Sequence, residues 1–365
     1  MGDDLLYKLA LTQVPGVGPK TARSLIGYCG GVQAVFEASK KELSRIPGIG
    51  PQTAHQVHSF REFSWAEQEI QFIEKNGIQP LFYLDSAYPR RLTHLPDAPI
   101  MLYYKGNENL NQNRILAIVG TRQPSPRGKA TCEELIDQLT EYQPLIVSGL
   151  AYGIDYTAHK KALQAGLPTI AVLGHGLDRI YPAAHRAVAY EMIDQGGLLS
   201  EFHSQTLPDR EHFPMRNRIV AGMSDAVLVI ETARKGGSMI TAHLANDYHR
   251  DVFAVPGRIQ DEQSSGCLHL IKTHKAALIE HADDLAYVLQ WEKSNTPASV
   301  QTSLFPELSV LENKVLDLVR KNEEISLEKL IFETELVGSQ LASILLQLEF
   351  KGLVRSLPGK RYMRL

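Results

Sequence analysis

From Ile115 onward the chain alternates short apolar runs with helical segments, and this rhythm restricts the fold more than any other feature. Candidate strands are Ile115 to Val119, Leu145 to Ser148, Thr169 to Leu173, Leu198 to Ser200, Ala226 to Glu231, Val252 to Val255 and Ala277 to Ile279. Helical segments fill the gaps at Arg127 to Glu141, Ile154 to Ala165, Ala183 to Asp194, Ser238 to Tyr248 and Ala282 to Leu289. Near-continuous apolar strands separated by helices require a sheet buried on both faces. The expected class is α/β, a doubly wound, mostly parallel sheet. Ligands of such sheets bind at the carboxyl edge, so the loops after the strands carry the functional signal.

The first of these loops reads Gly120-Thr121-Arg122-Gln123-Pro124-Ser125-Pro126-Arg127-Gly128. Gly120 lets the backbone turn closely, Arg122 can fork onto a phosphate, and a helix starting near Arg127 would add positive charge at its amino terminus. Neither GxGxxG nor GxxxxGK[ST] is present, so the expected ligand is some other phosphate-bearing molecule. Ser148-Gly149 opens a second glycine-lined loop, with Ser148 as a hydroxyl donor. Asp155 and Asp178 follow strands and read as helix caps ahead of acid/base groups. Arg216-Asn217-Arg218 forms either an anion-binding face or a surface ion-pair cluster. Lys235-Gly236-Gly237-Ser238 makes another strand-to-helix turn suited to phosphate. Four such loops on one edge suit a polyanion better than a single small phosphate. Tyr152, Tyr181 and Phe213 could stack on unstacked bases or belong to the core. The thirteen histidines form neither HExxH nor a Cys/His cluster at ligand spacing, and GxSxG is absent. No metal, cofactor or catalytic residue is therefore expected.

The 365 residues, 44% hydrophobic and 22% charged, allow two or three domains. A formal charge of −3 argues against a uniformly basic nucleic-acid binder but not against one basic face. Cys29, Cys132 and Cys267 contain no CxxC pair and fit reduced thiols. With an acidic start and no apolar run of about 20 residues, the expected address is cytoplasmic, away from membranes.

Both ends carry separate modules. Val14-Pro15-Gly16-Val17-Gly18-Pro19 returns 32 residues later as Ile46-Pro47-Gly48-Ile49-Gly50-Pro51, each copy flanked by helical segments. This is the layout of paired helix-hairpin-helix units over residues 1–60. Such turns hold DNA phosphates through exposed amides, or simply make compact turns for packing and partner binding. Residues 61–290 form the sheet domain and residues 291–307 a linker. In residues 308–365, three helices and a two-stranded wing turning at Pro358-Gly359 describe a winged helix. Its third helix offers Gln340, Gln347 and Lys351 as polar candidates, and most of its basic residues sit on the wing. That favours a protein-interaction or regulatory role.

The ordered motifs Val119-Gly120-Thr121-Arg122, Ser148-Gly149-Leu150-Ala151-Tyr152-Gly153-Ile154-Asp155, Ala171-Val172-Leu173-Gly174-His175-Gly176-Leu177-Asp178, Phe213-Pro214-Met215-Arg216-Asn217-Arg218, Gly237-Ser238 and Ala254-Val255-Pro256-Gly257 resemble the DNA-processing protein A (DprA/Smf) family over nearly the whole length. The resemblance implies a Rossmann-like domain and a homodimer. It also implies a non-enzymatic single-stranded DNA binder that shields incoming strands during natural transformation. Such a protein helps load the RecA recombinase onto strands covered by single-strand-binding protein. By position, Arg122 and Lys235 would contact DNA, with Arg216 and Arg218 beside them. The chain departs from the family pattern at Gly266-Cys267, where members often have asparagine after the glycine. The competing reading is a nucleotide-binding or nucleotide N-glycosidase enzyme on a related fold with a PGGxGTxxE loop. Here Ala245 stands where that loop's glutamate would fall.

Overall fold

A computed structural model describes residues 2–294, 309–322, 324–334, 336–350, 353–357 and 359–364. The chain divides into two compact units, Met1–Ser294 and Asn295–Leu365. Most of the expected linker, 295–307, lies outside the described residues, as do Lys351 and Pro358.

The first unit opens with helices α1 (Gly2–Gln13), α2 (Pro19–Cys29), α3 (Val32–Glu37), α4 (Lys40–Leu43), α5 (Pro51–Ser59) and α6 (Phe63–Lys75). The repeated motif makes the two turns, at Gly16 and Gly48, whose φ of +78° and +81° favour glycine. A proline in the first turn and a glycine N-cap without a side-chain cap start both α2 and α5.

The sheet follows: β1 (Gln79–Phe82), helix α7 (Arg90–Thr93), β2 (Met101–Gly106), β3 (Ile115–Val119), α8 (Pro126–Leu139), β4 (Leu145–Ser148), α9 (Ile154–Gln164), β5 (Thr169–Leu173), α10 (Arg186–Asp194), β6 (Gly196–Ser200), α11 (His212–Gly222), β7 (Ala226–Val229), α12 (Gly237–Asp247), β8 (Asp251–Ala254), α13 (Ser265–Lys272), β9 (Ala277–Leu278) and α14 (Ala282–Leu289). Nine strands pair in the order β1-β2-β6-β5-β4-β3-β7-β8-β9. The run from β6 to β9 is parallel, and β1 and β2 add an antiparallel edge. Helices α8, α9 and α14 share an apolar core on one face of the sheet, and α11, α12 and α13 share one on the other.

Among the elements that go beyond the sequence reading, β2, α11 and α13 bear on the sheet. β2 is hidden by the prolines at 96 and 99, yet its Met101-Leu102-Tyr103-Tyr104 run is buried throughout. α11 continues well past a short segment, because Pro214 sits in its first turn where no N–H is needed. α13, starting at Ser265, packs Cys267 and Leu270 into the core. The Cys267 thiol lies 3.7 Å from the Val229 carbonyl.

The helical module is joined to the sheet rather than hung beside it. Its core continues through Phe82, Met101 and Tyr103 of β1 and β2. Arg23, just beyond the first hairpin, donates to the carbonyls of Thr93 (3.2 Å), Leu95 (3.1 Å) and Ala98 (3.4 Å). Buried Glu69 of α6 accepts from the Ser204 N–H (2.9 Å) and its hydroxyl.

In the second unit, α15 (Val310–Lys321), α16 (Leu327–Thr334) and α17 (Gly338–Phe350) pack against a sheet ordered β10-β12-β11, with β10 (Ile325–Ser326), β11 (Val354–Leu357) and β12 (Arg361–Arg364). Ser309 caps α15 in a capping box with Glu312. Gln340 and Gln347 are exposed on α17.

Removing the Glu69 carboxylate leaves two donors of Ser204 buried without a partner. Glu69→Ala is therefore expected to cost about 1–3 kcal/mol. Urea unfolding followed by fluorescence, with Trp65 packed 5.0 Å from the His203 ring as a local probe, measures it; an unchanged midpoint would show that the contact is not stabilising.

Candidate nucleic-acid interface

A pocket of about 110 Å³ opens at the carboxyl ends of β4 and β5 beside α11 and the Arg122 loop. Tyr152, Tyr181 and Phe213 supply flat walls, and half of each tyrosine is exposed. The Arg122 guanidinium lies 5.5 Å from the centre of the Phe213 ring. Arg122 is exposed and, among the described residues, has no ion pair.

Arg216 occupies the inner side of the pocket and is only 5% exposed. It donates to the Val172 carbonyl, and its guanidinium lies against Gly149, where any Cβ would collide with it. Burial and the like charge of Arg122 depress its pKa, while buried Asp155 draws it the other way. Burial in turn pushes Asp155 up against the opposing pull of Arg216. His159 holds this arrangement from below: Nε2–H donates to the Gly149 carbonyl at 2.6 Å, and Nδ1 lies 2.7 Å from Thr169 Oγ1.

On the far side of β3, the loop after β7 carries Lys235, exposed and without an ion pair among the described residues. Gly236 is the N-cap of α12 and offers no side-chain cap. Ser238, in the first turn, is buried with its hydroxyl unpartnered among the described residues. This helix start keeps free donors next to a lysine, the arrangement an anion requires.

The start of α8 does the opposite. Ser125 Oγ accepts from the Gly128 N–H at 3.0 Å, and the Glu231 carboxylate accepts from the Ser125 N–H at 2.8 Å. The chain's own carboxylate thus fills the place expected for phosphate. Thr121 N–H goes to the Glu231 carbonyl (2.7 Å), and Thr121 O accepts from Ile154 (3.1 Å). A Cβ at Gly120 would press on Ile154. Gly120 and Thr121 therefore tie loops together.

The family described as DNA recombination-mediator protein A matches residues 79–290, a SAM-like helix-hairpin-helix tandem matches 8–60, and the DprA winged helix domain matches 301–360. Protein Smf of Synechocystis is 32% identical over 391 residues, covering 98% of both chains. The chain belongs to the DprA/Smf family. The DNA processing protein DprA of Streptococcus pneumoniae is 44% identical over 203 residues, 56% of this chain and 72% of the relative. Its crystal structure aligns with a TM-score of 0.68 at 33% identity, over 79% of this chain and 98% of that one. DNA processing protein A of Helicobacter pylori, whose structure describes a single-stranded DNA binding mode, aligns at 0.54 and 31% identity, over 59% and 97%. The family is one of DNA-processing proteins, and among the described residues no helix is long and apolar enough to cross a membrane.

Within this DprA/Smf fold the residues picked from sequence separate. Arg122 and Arg216 meet at the pocket, and Gly149 makes room for the Arg216 guanidinium. Lys235, Gly236, Gly237 and Ser238 gather at the start of α12. Ser148 is fully buried with its hydroxyl donated to the Ile118 carbonyl, so it supports the strand and is no ligand donor. Arg218 is paired with Glu201 and bonded to the Asp97 carbonyl, so it is not a free cation. Asn217, half-buried between these two arginines, makes no side-chain hydrogen bond among the described residues. Asp178 caps no helix, since it bonds the Gln205 N–H at 3.0 Å and pairs with Arg179. Asp155 accepts from the Ala151 N–H (3.3 Å), while Gly153 is the N-cap of α9. Ala245 is fully buried in the sheet core. Sequence reasoning gave no role to Glu231 or His159. The spacing of Ser125 before Gly128 is a local signal that could have marked a capped α8, but nothing local indicated the partner 106 residues away.

Burial lowers His159 from 6.5 to about 4. The neutral ring contributes stability above pH 6.5 that is lost as the pH falls through 4, about 3 kcal/mol at full extent. Glu201, raised by burial to about 7, acts in the opposite direction as the pH falls from 7 towards 4.5. The informative quantity is thus the difference between wild type and His159→Gln in urea midpoint from pH 7 to 4. That difference should shrink towards low pH, and a constant one would contradict a buried neutral His159.

Proposed function

We propose that this protein is a single-stranded DNA-binding recombination mediator that protects incoming strands and helps load RecA onto strands covered by single-strand-binding protein during natural transformation, acting as a homodimer. The observation that carries the reading is the pocket that sets Arg122, exposed and without an ion pair among the described residues, over Phe213 and buried Arg216 behind them.

A cavity of about 150 Å³ accommodates benzene; at about 110 Å³ and open to solvent, this pocket suits one unstacked base with part of it outside. Aromatic walls stack on any base, which supports sequence-tolerant binding. Arg122 and Lys235, with the open start of α12, would take the adjoining phosphates. Duplex DNA keeps its bases stacked and cannot use the pocket without the free-energy cost of unstacking them. Similarity to the H. pylori protein, whose structure concerns single-stranded DNA binding, supports the same substrate class.

Fluorescence anisotropy of the full chain with single-stranded and duplex oligonucleotides across a salt series tests this. Arg122→Ala should weaken single-strand binding at least tenfold for every base composition. The slope of log K against log salt should become about 0.7 shallower, because one phosphate fewer is neutralised. Equal affinity for duplex, or weakening confined to one base composition, would overturn the assignment of Arg122. RecA filament formation on strands coated with single-strand-binding protein checks the loading role, and Arg122→Ala should abolish stimulation.

A further inference from the structure

A second cavity, of about 320 Å³, opens at the carboxyl ends of β7 and β8 beside the start of α8. The crossover from β3 through α8 and the one entering β7 through α11 cover opposite faces of the sheet, so the cavity sits where the winding reverses. Doubly wound sheets leave a ligand crevice there. Its size falls at the lower end of small-molecule sites, about 300–1,000 Å³. Neither Arg122 nor Phe213 lines it.

Two side chains within it are each only 7% exposed and retain bonding capacity. One oxygen of Glu231 accepts from Ser125 at 2.8 Å, and the other has no hydrogen bond among the described residues. The Ser264 hydroxyl makes none there either, and a Cβ at Gly257 would collide with it. Arg127, Arg258 and Asp261 are exposed, and among the described residues none of the three has an ion pair. Pro126 and Val255 supply apolar wall.

A carboxylate and a hydroxyl inside, with two arginines against the single carboxylate of Asp261 at the exposed positions, leave a mouth of net positive charge that complements a ligand carrying hydroxyls at one end and negative charge at the other. A phosphate at the inner end would meet the Glu231 carboxylate. A neutral polyol would leave both arginines unused. We propose that this cavity binds a ribonucleoside 5′-monophosphate, with the ribose diol on Glu231 and Ser264, the phosphate on Arg127 and Arg258, and the base against Pro126 and Val255. An acidic side chain on the ribose hydroxyls and arginine on phosphate are the chemistry such crevices use. The proposal stands apart from single-strand binding at the Arg122 pocket.

Isothermal titration of the full chain with AMP, GMP, CMP and UMP, their 2′-deoxy forms and inorganic phosphate tests it. At least one ribonucleotide should saturate, its 2′-deoxy form should bind about tenfold more weakly, and phosphate alone should give no saturable heat. Arg127→Glu/Arg258→Glu should weaken binding at least tenfold, Ser264→Ala should narrow the ribose preference, and Arg122→Ala should leave nucleotide binding unchanged. Thermal melts confirm that the variants fold. No saturable heat from any ribonucleotide at millimolar concentration overturns the proposal, as does phosphate binding equal to that of the nucleotides. Abolished binding in Arg122→Ala with retention in Arg127→Glu/Arg258→Glu also overturns it, by moving the ligand to the first pocket.

Discussion

Glu231 joins the two halves of the sheet edge with both of its polar ends. Its backbone carbonyl accepts from Thr121, and its carboxylate accepts from Ser125 at the start of α8. Because β3 and β7 are hydrogen-bonded neighbours, the loops that leave them must pass within van der Waals distance. Gly120 and Gly128 lie where they meet, Gly120 against the Glu231 carbonyl and Ile154 of α9, Gly128 against the Glu231 carboxylate. The glycines that look like a phosphate cradle are therefore demanded first by loop packing. At the amino end of α8 the Glu231 carboxylate takes the Ser125 N–H and meets the helix dipole while Ser125 Oγ takes the Gly128 N–H, whereas the start of α12 keeps unfilled donors among the described residues.

Arg216 is the second organising element. Burying a guanidinium is costly unless its charge and donors are met. Val172 takes one N–H, Asp155 supplies opposite charge, and Gly149 leaves the space in which the group lies. One buried donor, Nε, stays unpartnered among the described residues. A charge held this way is shielded from bulk salt, whereas Arg122 and Lys235 are exposed and screened. Under the proposed function the edge thus combines a fixed positive interior with outer cations that salt can weaken. His159 serves this arrangement by fixing the Gly149 carbonyl, which explains a fully buried imidazole beside a buried cation.

The amino-terminal helices show the same division between pattern and placement. Their repeat announces two tight glycine turns. Arg23, the cation nearest the first turn after Lys20, is committed to three carbonyls of the sheet region, and Glu69 to Ser204. Such contacts bind the module into the first compact unit and remove groups that composition alone would count as available.

Strands β3, β4, β5 and β7, and helices α8, α9, α12 and α14, were legible because their signals are local: apolar run, glycine or capping residue, then helical period. β2 was not, because flanking prolines obscured a strand whose partner β6 lies nearly a hundred residues away. Sequence by itself determined the α/β class, the hairpin repeat, the winged helix and the loops that reach the carboxyl edge, since backbone sterics and burial period write those into neighbouring residues. Tertiary structure alone decided which polar groups remain free: Arg218 is consumed by Glu201, Ser148 by Ile118 and the start of α8 by Glu231, while Arg122, Lys235 and the start of α12 are left open. Hydrogen bonding and ion pairing act through space at a few ångströms, and the groups that satisfy these residues come from distant parts of the chain.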